Sequence, residues 1–229
     1  MSFSPSPSPP PHADRSPAGG WRRHIPNALV FARLALAAAV FAILASWQPQ
    51  TPGAADSPLL IATALFIVAS ITDALDGILA RRWNAITKFG RVMDPFADKI
   101  LVLGSFVLLA GPAFAHDAHA LTGFTGWMVV AILARELLIT SLRGLIEAEG
   151  RDFSAATAGK LKMIVQSIAT PAVLLILAID PWDDLFDETA STARAVNTAI
   201  AWTTTGITLL SGVPYILAAA RPAQPTGDA

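Results

Sequence analysis

The chain has no cysteine among its 229 residues, which excludes a disulfide framework, a thiolate metal site and a cysteine nucleophile. A metal, if one is used, must be held by oxygen or imidazole. Charge is also scarce: Asp, Glu, Lys and Arg make up 14% of the sequence, against about a quarter in ordinary soluble domains. There is no basic excess either. A formal net charge of -1 argues against the broad cationic surface that nucleic-acid binding needs, so no nucleic-acid partner is expected. What is abundant is apolar: 53% of residues are hydrophobic and the mean hydropathy is +0.53. These values point to an all-α polytopic membrane protein surrounded by membrane lipids.

About twenty mostly apolar residues cross the hydrocarbon core as a helix. By that criterion the sequence holds about six such stretches, at Asn27 to Trp47, Leu59 to Leu79, Pro95 to Ala115, Phe124 to Ile146, Leu161 to Ile179 and Ala195 to Leu217. Residues 1–20 are Pro-, Ser- and Gly-rich with no apolar run, so they read as a disordered tail rather than a secretory signal. Residues 21–220 form one six-helix transmembrane domain, and 221–229 a short C-terminal tail. Cations alternate between connections. Arg22 and Arg23 precede the first span; Arg81, Arg82, Lys88 and Arg91 join the second to the third; Arg143, Arg151, Lys160 and Lys162 surround the connection after the fourth. The intervening loops are acidic or neutral, including "DPWDDLFDE" at 180–188, to which no chemistry is assigned. The positive-inside rule puts both termini and both basic loops in the cytoplasm.

Against this background four aspartates lie at the end of the second span and the start of the third, in "DALDGILARRWNAITKFGRVMDPFAD". In helices Asp73 and Asp76 are spaced i,i+3 and Asp94 and Asp98 i,i+4, so each pair shares a face. Carboxylates gathered near a membrane repel one another unless a cation, protons or basic partners neutralise them. A lone intramembrane aspartate often makes a salt bridge, and Arg81, Arg82, Arg91 and Lys99 are near in sequence. Four in paired spacing point instead to a site. An all-oxygen donor set suits a hard cation such as Mg²⁺, Mn²⁺ or Ca²⁺. Two pairs suit two ions, an arrangement made for in-line phosphoryl displacement. Gly77 lets a ligand or helix approach the backbone, and Arg81 can make bidentate bonds to phosphate.

Together these residues spell D-x2-D-G-x2-A-R-x8-G-x3-D-x3-D, with Asp73, Asp76, Gly77, Ala80, Arg81, Gly90, Asp94 and Asp98 in every fixed place. The pattern resembles the signature of the CDP-alcohol phosphatidyltransferase family. The resemblance implies transfer of a phosphatidyl group from a CDP-linked donor to an alcohol, with release of CMP. It implies that Asp73, Asp76 and Asp94 ligate metal and that Asp98 both ligates metal and acts as general base. It also implies that Asp73, Gly77, Ala80, Arg81 and Gly90 line the CDP-donor site. Asn27 and Arg33 join that donor set, because "IPNALVFARLAL" is similar to the "PN.LT..R" opening of family members. Val30 departs from that pattern by replacing a threonine.

The fourth span ends in "ARELLITSLRGLIEAEGRDFSAATAGKLKMIVQ", where Arg135 and Arg143 are eight residues apart and Lys160 and Lys162 open the fifth span. Such cations suit an anionic acceptor such as a polyol phosphate, although three of the four also satisfy the positive-inside rule. Locally the segment resembles the phosphatidylglycerophosphate synthase branch of the family, with Met163 in place of a frequent threonine. That branch implies CDP-diacylglycerol as donor, glycerol 3-phosphate as acceptor, and phosphatidylglycerol phosphate and CMP as products. It also implies a homodimer in a bacterial inner membrane with the active site on the cytoplasmic side. The rivals are the same chemistry on phosphatidylglycerol, inositol phosphate or serine, a divalent-cation transporter, and an enzymatically silent scaffold.

Overall fold

The computed structural model describes residues 24–48, 56–83, 88–116, 119–148, 156–179 and 192–219. Six long helices follow one another: α1 (His24–Ser46), α2 (Ser57–Trp83), α3 (Lys88–Leu109), α4 (Gly126–Ala148), α5 (Ala156–Ile179) and α6 (Thr192–Leu210). A short α7 (Val213–Ala219) closes the described chain. Each expected span has its helix, so the chain is an all-α polytopic membrane protein. Among the described residues, Ala28–Ser46, Leu161–Ile179 and Thr192–Ala219 are long and apolar enough to cross a bilayer by length and composition alone. Shorter apolar helical stretches among the described residues are Ser57–Asp73 in α2 and Lys99–Leu109 in α3.

Two expectations need correction. The third span was expected from Pro95 to Ala115, but α3 runs from Lys88 to Leu109, with Pro95 inside it. The aspartates therefore sit within a helix and not at its entry. The sixth span was expected to be continuous to Leu217, but α6 stops at Leu210 and the chain turns at Ser211 and Gly212 before α7. Pro214 explains the break, since it lacks an N–H and its ring collides with the carbonyl four residues earlier.

The exterior shows what surrounds the bundle. Leu137 and Leu210 are 70% exposed, and Val130, Ile179 and Ile168 are nearly as open. Water would not tolerate an apolar surface this continuous; hydrocarbon does. Inside, α1 buries Val30, Arg33, Ala37, Val40, Leu44 and Trp47 at alternating three- and four-residue spacing, the stripe of a helix packed on one side. That stripe meets α2 and α3, α2 meets α5, and α6 packs against both α4 and α5. Five hydroxyls in the spans are satisfied locally: Thr63, Ser70, Thr72, Ser105 and Thr140 each donate to the carbonyl four residues back, as suits a solvent without acceptors.

The end of the bundle carrying the α1–α2 and α3–α4 connections is closed by specific bonds. Asp56 caps α2 by accepting from the Leu59 N–H at 3.1 Å and takes the Trp47 indole N–H at 2.7 Å on its other oxygen. Its own N–H donates to the Ala178 carbonyl at the end of α5, at 2.8 Å. The Trp47 ring stacks on Phe114 with centroids 4.5 Å apart. Between α3 and α4 a 3-10 turn (Pro112–Phe114) leads into a two-residue antiparallel bridge, β1 (Ala115–His116) with β2 (His119–Ala120), a small exception to the all-α expectation. Gly123 has a φ of +73°, and a Cβ there would lie 2.5 Å from the Thr198 Cα. Only glycine allows that approach. Asn197 then donates to the Leu121 carbonyl at 3.1 Å, fastening the loop to α6.

Candidate active site

At the opposite end, α2 leaves the bundle and α3 returns to it. Asp73 lies on the last described side-chain turn of α2, and its Oδ1 is 2.6 Å from Nη1 of Arg33 on α1. Arg33 is 1% exposed and Asp73 37%. Two residues named from sequence for the donor site are thus brought together across helices, Arg33 on α1 and Asp73 on α2. A buried guanidinium on an open carboxylate fixes where that carboxylate points. Asp76, Gly77, Ala80 and Arg81 continue on the α2 backbone, and Gly90, Asp94 and Asp98 on that of α3. The side chains of these seven, and of Asn27 and Lys160, lie outside the described residues.

A second polar cluster joins α4, α5 and α6. Glu136, 5% exposed, accepts through Oε1 from Lys162 Nζ at 2.6 Å and from Arg135 Nη1 at 3.0 Å. Arg135 is also buried; its Nη2 donates to Ser211 Oγ at 2.9 Å, and its guanidinium carbon stands 5.9 Å from the Tyr215 ring centre. Gln166 donates to Thr208 at 3.0 Å, extending the polar seam along α5 and α6. Of the four cations expected to bind an acceptor, Arg135 and Lys162 therefore meet on one carboxylate. Arg143 is exposed: eight residues at 3.6 per turn leave it about 80° around the helix from Arg135.

Between these two clusters stands Lys99, one residue after Asp98. Its ammonium donates to Thr140 Oγ1 on α4 at 2.7 Å. Lys99, Glu136, Lys162, Gln166 and Ser167 border a cavity of about 80 Å³, with Val102, Leu103 and Met163 supplying its apolar walls. An open apolar groove of about 440 Å³ runs between α2 and α5, lined by Phe66, Ile67, Ile71, Ile168, Pro171 and Leu175, and reaches Ser70 just short of Asp73.

Sequence reasoning missed three features. It did not single out Asp56, although its position just before Ser57 and Pro58 is an N-cap signal. It gave Glu136 no role of its own, whereas an acid within an apolar span beside two buried cations is an ion-pair hub. Lys99 was noted only as a neighbour of the aspartates. Its bond to Thr140 spans 41 residues, and no local spacing rule reaches that far.

The donor chemistry fits a divalent cation. Asp73 meets Arg33 through Oδ1, and positions 73, 76, 94 and 98 fall on helical turns of two packed helices, an all-carboxylate set suited to Mg²⁺ or Mn²⁺. Among the described residues no three acidic or imidazole side chains gather around one point.

Comparison with known proteins supplies a second, independent line. The CDP-alcohol phosphatidyltransferase family model matches residues 23–211. A Bacillus subtilis (strain 168) protein named CDP-diacylglycerol–glycerol-3-phosphate 3-phosphatidyltransferase is 35% identical over 157 residues, covering 66% of this chain and 77% of its own. A Pectobacterium atrosepticum protein of the same name is 35% identical over 156 residues, with 66% and 76% covered. One from Rickettsia bellii is 29% identical over 195 residues, covering 85% of this chain and 94% of its own. With the motif complete in sequence, its helices packed as a membrane bundle and the family model spanning 23–211, the chain belongs to the CDP-alcohol phosphatidyltransferase family, whose members work with divalent metal ions.

Proposed function

We propose that this enzyme transfers the phosphatidyl group of CDP-diacylglycerol to glycerol 3-phosphate, forming phosphatidylglycerol phosphate and CMP. The observation that carries the reading is the placement of a buried cation cluster on α4 and α5 against the turn of α3 that contains Asp98, with the Lys99–Thr140 bond joining them. An anionic acceptor gains from that cluster, whereas an uncharged alcohol leaves it without a ligand. The names of the relatives support the same acceptor.

Asp73, Asp76, Asp94 and Asp98 hold the cations, two Mg²⁺ or Mn²⁺ ions by the count of carboxylate pairs. When bound, the metal polarises the donor pyrophosphate and neutralises charge on the departing nucleotide. Arg33 keeps the Asp73 carboxylate in place from α1. Arg81, with Gly77, Ala80, Gly90 and Asn27, lines the CDP moiety, and Arg81 takes a phosphate oxygen. The apolar groove between α2 and α5, which ends beside Asp73, takes an acyl chain of the donor. Asp98 removes the proton from the glycerol 3-phosphate hydroxyl. That oxygen attacks the phosphorus bearing diacylglycerol, the bond from this phosphorus to the CMP oxygen breaks, and CMP leaves. Arg135, Arg143, Lys160 and Lys162 form the cationic wall for the acceptor phosphate.

Residues 21–220 act as one catalytic domain. The protein works as a homodimer in a bacterial inner membrane, both termini and the site facing the cytoplasm. The cations at 81–91 and 143–162 support that orientation. The bacterial origin of the named relatives supports the membrane assigned.

The test is CMP release by purified protein in detergent with Mg²⁺ or Mn²⁺ and CDP-diacylglycerol. Glycerol 3-phosphate, inositol phosphate, serine and phosphatidylglycerol are offered in parallel. Release stimulated by glycerol 3-phosphate alone and abolished by chelation is expected; stimulation by another alcohol instead would overturn the acceptor. Metal uptake into proteoliposomes without nucleotide would favour a transporter.

A further inference from the structure

We propose that Lys99 is a ligand of the acceptor's phosphate, facing Lys162 across the small cavity between α3, α4 and α5. The inference rests on the glycerol 3-phosphate reading above and adds a residue that the sequence motifs did not assign to the acceptor.

Three observations carry it. The first is charge. Lys162 and Arg135 share the carboxylate of Glu136 and Lys99 borders the same cavity; among the described residues these three cations and one acid leave a net charge of about +2 to meet a phosphate monoester of about -1.5 to -2. The second is how those charges are used. Lys162 and Arg135 share Glu136, whereas Lys99 among the described residues bonds a neutral hydroxyl, Thr140, whose own hydrogen goes to the Glu136 carbonyl at 2.7 Å. An ammonium carries three donors, so two of them are available to an anion at the cavity's edge. Lys99 is partly buried, so an anionic partner offsets the desolvation of its ammonium, and a bound phosphate is such a partner.

The third is position. Lys99 follows Asp98, and adjacent Cα atoms lie about 3.8 Å apart. An acceptor phosphate on Lys99 keeps a short polyol's hydroxyl within the same turn of α3 as the proposed base. The cavity, at about 80 Å³, has room for a few water-sized groups. That suits a phosphate on a short carbon chain better than a nucleotide. The donor residues proposed above lie on α1, on α2 and, through Gly90, on the first turn of α3, whereas this cavity is walled farther along α3, with α4 and α5.

The experiment is steady-state kinetics of Lys99→Met in detergent micelles with Mg²⁺, varying each substrate in turn and using inorganic phosphate as a competitive inhibitor. Wild-type enzyme must first release CMP in response to glycerol 3-phosphate; if it does not, the acceptor reading itself has failed. Given that response, Lys99→Met is expected to raise the KM for glycerol 3-phosphate about 10- to 100-fold, the range for losing one charge-assisted hydrogen bond. Phosphate inhibition should weaken in parallel while the KM for CDP-diacylglycerol stays within about twofold, well inside the scatter expected of an uninvolved site. Lys99→Arg should recover part of the loss. Thr140→Val, which removes the partner and keeps every charge, should move the acceptor KM by only a fewfold. Should Lys99→Met fail to fold, Lys99→Gln carries the same expectation, because it keeps a donor for Thr140 and loses the charge. A matching rise in the donor KM, or a fall in kcat with both KM values unchanged, would overturn the assignment and leave the acceptor reading standing.

Discussion

The two ends of this bundle use buried acids in opposite ways. At the end of the α1–α2 connection, Asp56 is completely enclosed, and its bonds go to an indole and to backbone groups. Both carboxylate oxygens are used by the fold. At the other end Asp73 is partly open and is met by a guanidinium on one oxygen, while Glu136 gathers two cations on one oxygen. Bonds to fixed backbone groups hold a shape. Charges held in excess by other charges hold a place for a ligand, and a buried ion pair is poor evidence for stability in any case. An aspartate in a membrane protein is therefore read by what its oxygens touch and not by its depth.

Substitutions can break this contrast, beginning with the largest effect. Asp98→Asn should lower kcat by about 10² to 10⁴, the usual contribution of a general base, with donor binding retained and the melting temperature unchanged. Normal turnover in this variant would remove the base from Asp98. Glu136→Ala comes next, because it leaves Arg135 and Lys162 buried without their carboxylate; breaking a buried pair this way costs about 3 to 5 kcal/mol. Thermal unfolding in detergent should show a clear loss, and a stability equal to wild type would mean that the hub is solvated.

Arg135→Ala should raise the KM for glycerol 3-phosphate more than that for CDP-diacylglycerol, by about tenfold for one charge-assisted bond. Equal effects on both substrates would make Arg135 a strut between α4, α6 and α7 through Ser211 and Tyr215. The smallest effect belongs to the other end. Asp56→Ala loses a helix cap, worth about 1 kcal/mol, together with the Trp47 bond, and should lower the melting temperature while leaving both KM values unchanged. A changed KM would show that the two ends are coupled.

Much of this contrast was readable from residue order. Hydropathy located six spans, and the spacing of Asp73, Asp76, Asp94 and Asp98 singled out the end to which we assign the reaction without any tertiary information, because helical periodicity is a local property. The boundary errors have local causes too: Pro214 ended α6 early, and the polar first turns of α3 were mistaken for loop. What could not be read was pairing across helices. Arg33 with Asp73, Lys99 with Thr140 and Gln166 with Thr208 join residues 40 or more positions apart, and nothing in the order of side chains says which faces will meet. The close approach of Gly123 to α6 was hidden for the same reason, since its backbone conformation is required by a helix that begins some seventy residues later.

The central claim is that chemistry belongs to the Asp73–Asp98 end and structure to the Asp56 end. It is tested most directly by CMP release from wild type, Asp98→Asn and Asp56→Ala prepared side by side, with CDP-diacylglycerol, Mg²⁺ and glycerol 3-phosphate. The account predicts acceptor-dependent release from wild type and from Asp56→Ala below its lowered melting temperature, and none above background from folded Asp98→Asn. Release from Asp98→Asn at the wild-type rate, or its loss from folded Asp56→Ala, would contradict it.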